Sequence, residues 1–118
     1  MWRWHVTAGE RARYEGLWAA NRGLLLAPGR GADLVAGPVV RDLWRRSRLD
    51  GRILAAIWPL VDRGAKGALA RDEFCVGTWL VDMALRGGKV PVRVEDAVWE
   101  CVRGSGAAGV AGAAAAAR

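Results

Sequence analysis

The sequence predicts a mostly α-helical fold built on helix–loop–helix units, and three observations carry that reading. First, the stretch from Ser47 to Phe74 places apolar residues at helical spacing and runs directly into the twelve-residue frame of an EF-hand loop, with Asp62 first, Gly67 sixth and Glu73 twelfth. Second, an apolar run from Phe74 follows the frame as an exiting helix would. Third, 118 residues with 53% hydrophobic and 25% charged side chains suit one small globular module with a modest core.

Each element follows from local signals. Residues 8–21 form a first helix, with Tyr14, Leu17 and Trp18 on one face. Residues 22–36 hold Gly23, Gly29, Gly31 and Pro28 and read as a loop. A second helix spans about Pro38 to Arg46, since proline suits the first helical turn. A third starts after Asp50, a good N-cap, and runs to about Leu60. Pro59 inside it removes a backbone donor and disfavours helical angles at Trp58, at a cost of about 3 kcal/mol in a helix interior, so a displaced Trp58 is expected. A fourth helix covers Arg71 to Leu85, with Phe74, Val76, Gly77, Leu80, Val81 and Ala84 as its buried stripe and Cys75 in the core. Beyond Arg103 the sequence GSGAAGVAGAAAAAR is low in complexity, its glycines breaking helix and its last alanines forming at most a frayed one. The organisation read from the chain is thus four helical segments in a domain of residues 1–103, followed by an Ala/Gly tail of residues 104–118.

The loop frame lacks most of its metal ligands. Its third, fifth and ninth positions hold Gly64, Lys66 and Ala70, which leaves Asp62 and Glu73 as the only expected side-chain donors. Calcium takes six to eight oxygens, so the expected site is weak or absent, no cofactor is expected, and the loop is kept for its shape. Asp72 and Glu73 open the fourth helix, where carboxylates favour the helix dipole. His5 is the one histidine, and no nucleophile triad, phosphate loop or dinucleotide fingerprint occurs, so no enzyme activity is expected.

A net charge of +6 and a pI near 10.6 raise nucleic acid or an anionic membrane as partners. The basic residues are scattered apart from Arg41, Arg45, Arg46 and Arg48, and no nucleic-acid reading motif accompanies them, so nucleic acid is not expected while an anionic membrane surface stays open. No apolar stretch reaches the roughly 18 residues of a membrane span. The start MWRWHVTAGERAR lacks a secretory apolar core, and Cys75 and Cys101 suit reduced thiols, so the expected location is cytoplasmic.

The run Ser47, Leu49, Leu54, Ile57, Trp58, Leu60, Asp62, Gly67, Leu69, Glu73 and Phe74 resembles the EH domain, a paired EF-hand module that binds Asn-Pro-Phe peptides. The similarity extends from Gly37 to about Pro91. It is closest to the carboxy-terminal EH domain of the EHD family of membrane-remodelling ATPases, echoed also by Trp4, Val6, Tyr14 and Trp18 at the start and by Leu85, Gly87 and Pro91 at the exit. The ATPase half of those proteins is absent here. The resemblance implies two EF-hand units joined by a short antiparallel β pairing, with Leu34 and Val35 opposite Ala68 and Leu69. The loop around GLLLAPGRG is longer than in that family and denies the first unit a standard EF-hand loop.

Gly51, Leu54, Ala55 and Trp58 fall on one face of the third helix. By resemblance, Leu54 and Trp58 clasp the peptide Phe, Gly51 and Ala55 give it room, and Arg41 and Trp44 of the second helix complete the pocket. Trp44 is larger than the residue usual there and stands to fill the pocket rather than line it. The implied function is an adaptor of endocytic or endosomal membrane traffic binding Asn-Pro-Phe proteins with acidic flanks. The rivals are a remnant of the fold that has lost its pocket, on the evidence of Pro59, Trp44 and the long first loop, a calcium-responsive EF-hand protein, and a basic module for anionic lipid or nucleic acid.

Overall fold

The computed structural model describes residues 6–26 and 32–107, with side chains through Arg103. Trp4, His5, the centre of the long loop around Pro28 and the terminal alanines lie outside the described residues. Helix α1 (Ala8–Asn21) starts at a capping box in which Thr7 Oγ1 accepts from the Glu10 amide (3.1 Å) and Glu10 Oε1 accepts from the Thr7 amide (2.9 Å). After the long loop come strand β1 (Val35–Ala36) and helix α2 (Gly37–Arg45), which has proline in its first turn. Helix α3 (Gly51–Val61) is capped by Asp50, whose carboxylate accepts from the Arg52 amide at 2.8 Å. Strand β2 (Ala68–Leu69), helix α4 (Arg71–Leu85) and helix α5 (Asp96–Ala107) complete the order.

The two strands pair antiparallel, Val35 with Leu69 and Ala36 with Ala68, and so tie the two helix–loop–helix units back to back. The first strand lies one residue later than expected. Leu34 is excluded from the ladder because its carbonyl instead accepts the amide of Gly23 (2.8 Å), closing the base of the long loop.

Helix α4 is the centre of the molecule, packing against α1, α3 and α5. It is therefore buried nearly all round rather than along one stripe: Cys75, Trp79 and Met83 are buried as well as Phe74, Val76 and Leu80, while Ala84 is only half-buried. Burial pushes the Cys75 thiol up to about 12, a core thiol with no thiolate character at neutral pH. The helix ends at Gly87, whose φ of +92° suits the left-handed turn that a glycine enters without strain.

The fifth helix corrects the reading of four helical segments and a tail. Val94, Val98 and Val102 recur every fourth residue and are all buried with Trp99, and the helix then continues past Arg103 through Ala107. It is held by the Arg11 guanidinium donating to the Cys101 carbonyl (3.1 Å), and by Arg63 stacked over the Trp99 ring at 4.2 Å.

Candidate functional site

A cleft of about 490 Å³ opens between α2 and α3, lined by Gly37, Arg41, Trp44, Arg45, Leu49, Gly51, Leu54, Ala55 and Trp58. That volume lies within the ordinary range for ligand sites, and the walls are mainly apolar. All six residues expected to form a pocket, Arg41, Trp44, Gly51, Leu54, Ala55 and Trp58, are brought to it. Gly37, Arg45 and Leu49 join them.

Two indoles form its floor. Trp44 and Trp58 meet edge to face with centroids 6.1 Å apart. Trp58 is half-buried and accessible to the cleft, whereas Trp44 is only 4% exposed. The expectation that Trp44 fills the pocket is corrected by Gly77 of α4. A Cβ at residue 77 would stand 2.5 Å from Cζ2 and 2.8 Å from Cη2 of Trp44, so the bare glycine is the space into which the indole turns. Trp44 Nε1 then donates to Thr78 Oγ1 at 3.2 Å, which satisfies its polar edge inside the core. No local sequence pattern links Trp44 to Gly77 and Thr78, and these two partners were missed.

Pro59 does not displace Trp58, contrary to expectation. It falls in the last turn of α3, near the end of the helical hydrogen-bond ladder, and the helix continues until the Asp62 amide donates to the Trp58 carbonyl at 2.9 Å. Trp58 keeps its place on the face shared with Gly51, Leu54 and Ala55. Across the cleft it packs on Gly37, its Cη2 lying 3.6 Å from where a Cβ of that residue would be. Gly37 also donates its amide to the Gly67 carbonyl (2.9 Å), and a side chain there would collide with that oxygen at 2.8 Å. One glycine therefore links the cleft to the second loop.

The rim is positive. Arg41 and Arg45 are exposed and form no ion pair among the described residues, while Arg46 is engaged by Asp42 at 3.0 Å. Among the described residues no carboxylate lines the cleft. At its mouth, Gly51 has open space where a Cβ would stand.

The second loop keeps the EF-hand shape without its ligand set. Asp62 accepts the amides of Lys66 (3.0 Å) and Gly67 (2.9 Å), and Glu73 accepts those of Ala70 (2.8 Å) and Arg63 (3.2 Å). Gly67 has φ +76°, as the sixth position of the frame requires. Among the described residues no group of three or more His, Cys, Asp or Glu side chains is placed to hold a metal ion, and the residues present do not fit calcium. Next to the loop, burial works against ionisation of Asp72, but the hydrogen bond from Arg103 and the charge of Arg63 outweigh it and hold this carboxyl below its ordinary value.

The family model of the EH domain matches residues 24–105. The chain belongs to the EH domain family. An Increased rDNA silencing protein 4 from Pyricularia oryzae is 55% identical over 114 residues, which cover 87% of this chain and 17% of that protein. The protein of the same name from Neosartorya fischeri is 47% identical over 121 residues, covering 87% of this chain and 24% of its own length. The chain thus spans less than a quarter of these relatives. Among solved structures, the second EH domain of AtEH1/Pan1 superposes with a TM-score of 0.65 over 80% of this chain and 84% of that one, at 19% identity, a likeness of fold alone. An EH domain is a protein-interaction module. The narrower likeness to the EHD group rests on the sequence motifs.

Proposed function

We propose that this EH domain captures Asn-Pro-Phe peptides in the cleft between α2 and α3, preferring acidic residues after the Phe. The observation that carries this reading is the cleft itself: an apolar slot floored by Trp58, bounded by Leu54 and the small residues Gly51 and Ala55, with two guanidiniums on its rim that form no ion pair among the described residues. A peptide Phe entering it meets the Trp58 indole, and Arg41 and Arg45 attract carboxylates that follow. Burial of one aromatic side chain contributes about 1.5–3 kcal/mol, so a single motif binds weakly. Trp44 turning inward and α3 continuing through Pro59 favour this reading over that of a remnant without a pocket. The sequence resemblance is what supports a role in cytoplasmic endocytic or endosomal traffic. The much longer fungal relatives suggest that it serves as the docking part of a larger protein of the Increased rDNA silencing protein 4 kind.

Gly51 provides the test, because it lines the cleft and a Cβ added there meets no atom within 4 Å. In calorimetric titration, a peptide of Asn-Pro-Phe followed by acidic residues binds the natural chain, whereas the peptide with Ala for Phe does not. Gly51→Trp abolishes binding at unchanged melting temperature. Equal binding of both peptides, or full binding by Gly51→Trp, overturns the assignment.

A further inference from the structure

We infer that Lys66 supplies the cation of the second loop, its ammonium standing between the two carboxylates of the EF-hand frame and holding the loop closed without a metal. Lys66 is the fifth residue of the frame, a position that normally contributes an oxygen to calcium. Its side chain turns back into the loop. Nζ donates to Glu73 Oε1 (3.0 Å) and Oε2 (2.9 Å) and to the Arg63 carbonyl (2.6 Å), and lies 3.5 Å from Asp62 Oδ1. The first and twelfth residues of the frame therefore converge on one positive centre, and the twelfth does so through both oxygens. An ammonium has three donors on a flexible stem, and here three oxygens, both of Glu73 and the Arg63 carbonyl, receive them.

The surroundings distinguish this from a surface ion pair. The Asp62 and Glu73 side chains are each 3% exposed and Lys66 34%. Two buried carboxylates facing each other repel unless a cation lies between them. Arg63 adds the second positive charge, Nε to Glu73 Oε2 at 3.2 Å, and its guanidinium is covered by Trp99. Asp72 shares Arg63 (2.8 Å) and is also paired by Arg103 (3.1 Å), so Lys66, Arg63 and Arg103 balance Asp62, Asp72 and Glu73 with no ion added. A calcium ion would have to displace the ammonium and would find no side-chain oxygen at Gly64 or Ala70. Because Gly67 of this loop bonds Gly37 of the cleft, the lysine also fixes the loop against which α2 begins.

The chain has two lysines, Lys66 and the exposed Lys89, so amine acylation followed by mass spectrometry compares them directly in the natural protein. An ammonium held by Glu73 and Arg63 reacts at least about tenfold more slowly than Lys89, and loses this protection on denaturation. Equal rates in the native state overturn the inference. Melting temperature gives a second reading. Millimolar calcium leaves the natural chain unchanged relative to EDTA, and Lys66→Met melts at least about 5 °C lower in EDTA or fails to fold. A calcium-induced rise in the natural chain, or a Lys66→Met variant as stable as the natural one, contradicts it. Neither measurement involves a peptide, so its outcome is independent of the Asn-Pro-Phe assignment.

Discussion

Trp44 is buried because residue 77 has no side chain. Its indole reaches across from α2 into the space that Gly77 leaves on α4, and Thr78 on the same turn accepts its N–H. This turns a bulky residue that would block the cleft into its floor. Gly77→Ala places a methyl group within 2.8 Å of two indole carbons, and overpacking of this kind costs about 1–3 kcal/mol. We expect a lower urea midpoint together with weaker peptide binding, as the indole is pushed back towards the cleft. A variant that keeps both would show that Trp44 has another place to go. At this scale the sequence was partly legible. Helical spacing marked Gly51, Leu54, Ala55 and Trp58 as one face, and resemblance marked Arg41 and Trp44. The partner at Gly77 was not legible, since it depends on how two distant helices cross and glycine carries no pattern of its own.

At the scale of elements, local signals located four helices: the spacing of Tyr14, Leu17 and Trp18, Pro38 in a first turn, the Asp50 cap and the apolar run from Phe74. The fifth carries only a short apolar signal, Val98, Trp99 and Val102, between the exit at Pro91 and the glycines beyond Arg103. Burial of α4 on several sides was equally invisible without α5, which provides one of those sides. Pro59 illustrates a correct local rule with the wrong consequence. The proline does remove the N–H that would serve the Ala55 carbonyl, but the loss falls at the end of α3 and the face carrying Trp58 stays in register. Pro59→Ala should therefore raise unfolding free energy by about 1–3 kcal/mol in chemical denaturation, within the usual cost of a helical proline, and change peptide affinity less than twofold. A large gain in affinity would mean that the proline distorts the cleft after all.

At the scale of the molecule, the charge of +6 acquires direction only from the fold. Among the described residues Arg41 and Arg45 stand without an ion pair beside the cleft while Arg46 is engaged by Asp42, so two of the positive charges lie where a peptide would dock. Acidic residues after the Phe should improve affinity several-fold at low ionic strength. The gain should shrink as salt shortens the Debye length from about 30 Å at 0.01 M to about 8 Å at 0.15 M. A salt-independent gain would point to direct hydrogen bonding, and no gain would remove the rim from recognition. Weak single sites of this kind become effective when several are linked, and the relatives' greater length leaves room for that. The measurement that bears most directly on the central claim is amide chemical-shift mapping of the natural chain with an Asn-Pro-Phe peptide carrying an acidic flank. The account predicts saturable shifts at Gly51, Leu54, Ala55 and Trp58 on α3 and at Arg41 and Trp44 on α2, with a small response in α5. Absence of any shift around Trp58 at millimolar peptide, or shifts confined to another surface, would contradict it.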